Sequence, residues 1–340
     1  MRSKQFLRRL LLTEVVGYSV FWSLVTYHFQ LSLLWWLPAV VGGWIALRVI
    51  VVGLEFLLSA WYAARAPEAG RSRIGPLTLL RCMAVEISHI VPSFSLFQPF
   101  PDLLARAALA DAAPRQDPTT PVVLLIHGFT CNPAVFRWLR RRLEADGLCV
   151  EVVELEPVFG PIAGYVPLVT ARIESVCQRH GAERIHVVAH SMGGLVTRAT
   201  LAHTGDARIA SVTTIGSPHQ GTELARFSAA PNAADMLPGC DFLADLQPAK
   251  LPLACWLSIA SDQDNLITPP LSAVLPGTHA LRLSGIGHIS MIFDAAVRSE
   301  VVRGIRLHAD LQPQVTRVTE ECTPSLRLTA TKMWTASGSP

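Results

Sequence analysis

The run Ala189-His190-Ser191-Met192-Gly193-Gly194 constrains this chain more than any other stretch. The apolar, β-branched segment Ile185-His186-Val187-Val188 precedes it. A helix-like segment, Leu195-Val196-Thr197-Arg198-Ala199-Thr200-Leu201, follows it. A strand that turns sharply into a helix through a central serine is the setting of a nucleophile elbow. The turn strains the serine backbone and pushes its Oγ out at the carboxyl end of the strand. Small residues two before and two after the serine let strand and helix pass closely. Here these are Ala189 and Gly193. Glycine is usual at both places, so Ala189 is a small departure.

An elbow needs a base, an acid and an oxyanion hole, and the rest of the sequence offers candidates in order. Pro121-Val122-Val123-Leu124-Leu125-Ile126 reads as a buried strand, too short and too β-branched for a helix. It runs into His127-Gly128-Phe129-Thr130-Cys131-Asn132. The loop at this place donates a backbone N–H to the oxyanion hole. The expected donors are Phe129 and Met192, with Gly128 allowing the unusual backbone. Downstream, residues 253–260 read as another buried strand that empties into Ser261-Asp262-Gln263-Asp264-Asn265-Leu266-Ile267. A last short strand, His279-Ala280-Leu281-Arg282-Leu283, leads to Ser284-Gly285-Ile286-Gly287-His288. The order Ser, Asp, His differs from that of the two large serine protease folds.

On these motifs, residues from about 120 to 305 resemble the α/β-hydrolase fold, and within it small bacterial triacylglycerol lipases and their esterase relatives. Ile215-Gly216-Ser217-Pro218-His219-Gln220-Gly221-Thr222 and Met236-Leu237-Pro238-Gly239-Cys240-Asp241-Phe242-Leu243 also resemble lipase segments near the site. The resemblance implies hydrolysis of an acyl ester without naming the ester. It implies Ser191 as nucleophile, His288 as general base and Asp264 as the orienting acid. Asp262 is the alternative acid. Asp264 is preferred because the apolar pair Leu266-Ile267 follows it at the expected distance. His127, Gly128, His190 and Gly193 are expected to support the site. His127 and His190 are read as structural histidines bonding loop backbone, and His219 as either a pocket residue or a packing one. No His-Glu-x-x-His or paired Cys-x-x-Cys occurs, so neither metal nor organic cofactor is expected. An acyltransferase or thioesterase using the same triad, and a catalytically silent membrane scaffold, are the alternatives to a lipase-like ester hydrolase.

The first part of the chain has another composition. Leu10 to Phe29 is almost continuously apolar and long enough for a bilayer, which takes ~20 residues of helix. Gln30, Leu31 and Ser32 break it, and a second apolar stretch runs from Leu33 to Ala64. As one helix that stretch is about 48 Å long, so it is expected to tilt or to leave its far end in the interface. Arg48 and Glu55 favour the interface, because charges at the bilayer centre are costly. Glu14 sits one turn inside the first span, from where a carboxylate can snorkel. Trp and Tyr are concentrated here. A cleavable signal peptide is the rival reading. A second apolar stretch and the lack of a small-x-small cleavage site argue against it. Basic residues fall before the first stretch and after the second, at Arg65, Arg71, Arg73 and Arg81, with none between. That bias places both ends in the cytoplasm of a bacterial inner membrane.

The expected organisation is a transmembrane helical hairpin over 1–64, a partly helical linker over 65–118, a hydrolase domain over 119–306 and a partly disordered tail over 307–340. In the linker a helix is expected from Pro76 to Ile90. In the hydrolase, strands are expected near 121–126, 148–154, 184–189, 211–216, 253–260 and 279–283. Helices are expected near 133–146, 165–180, 192–204 and 288–304. Alternating strand and helix implies a minimal parallel sheet with helices on both faces. The seven cysteines are scattered and odd in number, which reads as free thiols in a reducing compartment. A net charge of +3 implies no nucleic-acid partner. The expected partners are the membrane and a lipid or other apolar acyl ester.

Overall fold

Six short apolar segments pair side by side and in parallel. They are β1 (Val122–Ile126), β2 (Cys149–Val153), β3 (Ile185–His190), β4 (Ile209–Ile215), β5 (Trp256–Ser261) and β6 (His279–Leu283). The strand order is β2-β1-β3-β4-β5-β6. The computed structural model describes residues 1–65, 72, 74–205, 207–246 and 255–310. The expected start of the fifth strand, Arg71, Arg73, Cys322 and the tail beyond 310 lie outside the described residues.

The strands are hydrophobic on both sides because both faces are covered. Side chains alternate across the sheet. Val122, Leu124 and Ile126 join one core with Val187 and Ala189, while Val123 and Leu125 join the other with Val188. Four helices flank the sheet: α4 (Arg137–Ala145), α5 (Val166–His180), α6 (Met192–Thr204) and α7 (Ala295–Asp310). Helices α5 and α6 cover the first core, and α4 and α7 cover the second. This is the α/β-hydrolase fold. The last helix begins seven residues later than the sequence suggests. Asp294 Oδ1 accepts the amides of Ala296 and Val297 at 2.8 and 3.1 Å, a cap that starts the helix there. His288 is thereby left in a loop.

Ahead of the hydrolase stand three helices long and apolar enough to cross a membrane, α1 (Ser3–Phe29), α2 (Trp36–Arg65) and α3 (Pro76–Pro92, continued by a wider turn to Phe97). The sequence suggests two. The third falls in the stretch that the sequence suggests as a partly helical linker, and its Arg81 and Glu86 dilute the apolar run. Helices α1 and α2 form a hairpin whose distal parts are exposed and apolar, with Val20, Phe21, Leu24 and Leu37 all more than half accessible. A contiguous exposed patch of this kind marks an interaction surface.

The far end of α2 does not lie free at an interface, as the sequence suggested. It docks on the hydrolase. Val52, Phe56, Ser59 and Ala63 are buried, and Glu55 accepts a hydrogen bond from Asn265 Nδ2 at 2.8 Å. Nor does Glu14 snorkel outward. It turns into the hairpin, where it pairs with Arg48 and accepts the indole N–H of Trp44 at 3.1 Å. Charges in an apolar helix are cheapest when they face each other across a bundle, and both helices use that solution.

Candidate active site

Strand β1 has β2 on one side and β3 on the other, so the strand order reverses between β1 and β3 while all three run parallel. In an open parallel sheet the crevice at such a point, beyond the carboxyl ends of the strands, is where ligands bind. Residues 127–130 follow β1 and Ser191 follows β3, so both candidate motifs open onto that crevice.

Ser191 has φ 56° and ψ −130°, a conformation that L-residues rarely adopt and that is maintained only when the surroundings over-determine it. Its own N–H donates to Ile215 O at 2.9 Å. A side chain at Gly193 would run into the Ile126 carbonyl. The small residue after the serine is therefore a packing requirement, as the motif demanded. Met192 is the first residue of α6, so its N–H has no carbonyl within the helix to bond and is free to face an anionic oxygen. Phe129, on the β1 loop, lines the cavity beside Ser191.

His288 and Asp264 meet at the other side of the crevice. His288 Nδ1 lies 2.8 Å from Asp264 Oδ2, and both side chains are almost wholly buried. Asp264 Oδ1 accepts the amides of Leu266 and Ile267, each at 2.8 Å. The second oxygen is thus left for the imidazole. The His288 backbone N–H donates to Asn265 Oδ1 at 2.9 Å. Burial alone lowers the His288 pKa, but the charge and hydrogen bond of Asp264 outweigh it and raise the pKa above the ordinary value. Gly216, at φ 57°, passes against this pair. A Cβ there would come within 3.1 Å of His288 Nδ1 and 2.7 Å of Met291 Cε.

The alternative acid has other partners. Asp262 Oδ1 is 3.1 Å from Arg282 Nε, and its Oδ2 accepts the Ser72 amide at 3.1 Å. His127 bonds loop backbone from both ring nitrogens. Nδ1 donates to Gly128 O at 3.0 Å, and Nε2 accepts the Leu155 amide at 3.1 Å. Burial pushes its pKa down to about 4, so it is neutral and carries no proton for the site. His190 places its ring 4.5 Å from that of His288, with Nε2 3.3 Å from the His288 carbonyl. His219 is buried against Thr214 and Trp256 and is a packing residue. Among the described residues no group of His, Cys, Asp and Glu is arranged to hold a metal.

Sequence reasoning missed the groups that reach this site from the apolar helices. Glu55 touches Asn265, Ser59 touches Asp264, and Glu86 touches the backbone after His288. The one available signal was the presence of two carboxylates inside apolar helices, where an ionisable group marks a functional site by default.

A cavity of ≈ 340 Å³ adjoins Ser191 and His288. One wall is hydrolase, with Phe129, Cys131 and Ile289. The other is membrane-type helix, with Leu7, Leu10 and Val52. A second cavity of ≈ 390 Å³ also reaches Ser191 and Phe129, and runs between Leu54 and Leu58 of α2 and Leu224, Phe227 and Met236.

The sequence resembles known hydrolases over part of its length. The family described as palmitoyl protein thioesterase matches residues 121–273. A triacylglycerol lipase of Burkholderia plantarii is 32% identical over 133 residues, which are 36% of this chain and 37% of the lipase. A triacylglycerol lipase of Pseudarthrobacter phenanthrenivorans is 33% identical over 114 residues, 31% of this chain and 35% of that protein. The matched segments thus span little more than a third of those lipases. Among solved structures, Aspergillus fumigatus lipase B superposes with a TM-score of 0.49 at 15% identity, covering 57% of this chain and 54% of the lipase. Sheet order, elbow and sequence likeness together make this chain an α/β-hydrolase that resembles lipases and esterases, preceded by apolar helices.

Proposed function

We propose that this chain is a membrane-held serine hydrolase that cleaves carboxylic esters of lipid type. The observation that carries the reading is the 2.8 Å contact between His288 Nδ1 and Asp264 Oδ2, beside a serine held at positive φ. Asp264 fixes the proton on Nδ1 and leaves Nε2 as the base. Ser191 Oγ attacks the ester carbonyl and Nε2 takes its proton. The oxygen of the tetrahedral intermediate receives the N–H groups of Phe129 and Met192, each such donor being worth ~3 kcal/mol in the transition state. The intermediate collapses, the imidazolium returns the proton to the departing alcohol, and an acyl-serine remains. Water, deprotonated by the same nitrogen, then releases the acid and restores Ser191.

Two apolar cavities that meet at the serine suit a substrate with long hydrocarbon on either side of its ester. The apolar hairpin would hold the site at a bilayer surface, with the basic ends of the helices, and so the hydrolase, in the cytoplasm of a bacterial inner membrane. In this reading residues 1–64 anchor, 65–118 connect and 119–306 catalyse.

The palmitoyl protein thioesterase match over 121–273 favours a second reading, in which the acyl group arrives as a thioester. The same acyl-serine would form, with a thiol leaving in place of an alcohol. The test is a fluorophosphonate probe on detergent-solubilised wild type and Ser191→Ala. Oxoester and thioester substrates of matched chain length are then compared. Labelling lost with Ser191→Ala and a higher kcat/KM for oxoesters are expected. Faster thioester cleavage would select the second reading. A wild type that neither labels nor turns over would overturn both.

A further inference from the structure

Glu86 lies on α3, an apolar helix outside the hydrolase sheet, yet its side chain is 0% exposed. Both of its oxygens are used. Oε1 accepts the amide of Ile289 at 2.8 Å, and Oε2 accepts the amide of Ser290 at 2.8 Å. These are the two residues that follow His288. The fit continues on the other side of the histidine. A Cβ at Gly287 would collide with the Glu86 carboxylate, so the absence of a side chain there lets the carboxylate reach the loop. One turn further along α3, His89 stacks on Phe293 with centroids 4.2 Å apart, and its Nδ1 is 3.1 Å from Ser290 Oγ. Helix α3 therefore grips the loop from Gly287 to Phe293 at several points.

We propose that Glu86 is a positioning residue for His288, supplied by the membrane-type helices, which makes those helices part of the catalytic machinery as well as an anchor. The proposal rests on the triad reading above. A carboxylate is suited to this place because it offers two acceptors in one plane. It closes a ring on two successive amides that nothing in a loop would otherwise satisfy. An unmade bond of that kind in a buried site is costly. Beside the carboxylate, the loop is held by the His288 amide on Asn265 Oδ1, by the imidazole on Asp264, by His190 Nε2 at the His288 carbonyl and by His89 on Ser290. Asn265 is itself held by Glu55 of α2. The apolar helices thus act on the base at two points, directly through Glu86 and, one step removed, through Glu55 on Asn265. Because Glu86 touches the backbone and not the imidazole, its loss should disturb the angle of the base while substrate binding is kept.

The test uses the full chain in detergent micelles, with Glu86→Gln and Glu86→Ala, and p-nitrophenyl butyrate as probe substrate. Glu86→Gln keeps one acceptor but turns an N–H₂ toward the second amide. Glu86→Ala removes both acceptors. The expected result is a kcat lowered about 100-fold in Glu86→Ala, the size of effect a displaced catalytic group produces, with KM within about threefold of wild type and a smaller loss in Glu86→Gln. Hydrogen exchange should quicken in the peptide covering 286–293 of both variants and stay unchanged over β3 and α6. If Glu86→Ala does not fold, Glu86→Gln alone decides. Wild-type kcat in a folded variant, or a loss confined to KM, would overturn the proposal. Failure of the underlying reading is separate: it would appear as a Ser191→Ala protein that retains turnover, whatever Glu86 does.

Discussion

Ser59, on the second apolar helix, donates its hydroxyl to the main-chain carbonyl of Asp264 at 2.7 Å, across 205 residues of sequence. Both residues are buried. The contact joins an apolar helix to the loop that carries the candidate acid. It acts on the backbone, while the carboxylate itself is oriented by the Leu266 and Ile267 amides. Ser59→Ala is therefore expected to cost about 1–3 kcal/mol of stability, the price of leaving a buried carbonyl unpaired. Turnover should stay within a few-fold of wild type. Thermal unfolding in detergent, read beside kcat, checks both parts.

The two aspartates of the β5 loop should separate cleanly. Asp264→Asn replaces the acceptor of the His288 N–H by a group that favours the wrong tautomer, and kcat is expected to fall by ~10⁴. Asp262→Asn weakens contacts to Arg282 and to the Ser72 amide, none of which touches His288, and kcat should stay close to wild type. Steady-state kinetics on the two purified variants settles the matter. A dead Asp262→Asn beside an active Asp264→Asn would reverse the assignment.

Most of the sheet was legible because β1 to β5 are buried on both faces. Its apolar runs are continuous, and the punctuation around them (Gly128, Gly181, Gly285) is strong. The elbow was legible for a local reason: Ser191 and Gly193 must sit two apart wherever a strand turns this sharply. Asp264 was legible as the preferred candidate acid for a local reason, since the Leu266 and Ile267 amides that orient it follow two and three residues on, whereas the Ser72 amide and Arg282 that occupy Asp262 come from elsewhere and left no local signal. The docking of the apolar helices was not legible at all. Glu14, Arg48, Glu55 and Glu86 read as liabilities in an apolar helix until their partners are known. Those partners are as far as 210 residues away, as with Glu55 and Asn265.

The pH dependence follows from His288. Its pKa is raised because the Asp264 charge and hydrogen bond outweigh burial, and catalysis needs the neutral imidazole. Activity is therefore present above the folded-state pKa and is lost as pH falls through it. The acid limb of kcat/KM, which reports the free enzyme, is expected above the ordinary histidine value of about 6.5. The neighbouring histidines do not titrate in this range. His127 is pushed down to about 4 by burial, and His190 is driven well below the usual range by burial and by the charge of His288. A limb at or below pH 6 would mean that the pair is not coupled as the geometry implies.

The hairpin should behave as a charge-balanced unit. Glu14 and Arg48 are paired where α1 and α2 face each other, with side chains only 13% and 17% exposed, and the Arg48 guanidinium lies 5.4 Å from the Trp44 ring. Beyond this pair neither helix carries another Asp, Glu, Lys or Arg up to the turn. The fifteen residues from Val15 to Phe29 amount to about 22 Å of helix, less than the ~30 Å of a hydrocarbon core. In a hairpin that spans, the pair would sit near the level of one membrane face, beside the cavity that Arg48 lines. Neutralising one partner leaves the other as a lone charge in an apolar setting, at a cost below the about 2.5–3.5 kcal/mol of a charge at the bilayer centre. Glu14→Gln and Arg48→Gln should each lower the unfolding midpoint in bicelles. The double variant, which buries no net charge, should recover most of the loss. Strictly additive effects would mean that the two side chains do not interact in the bilayer.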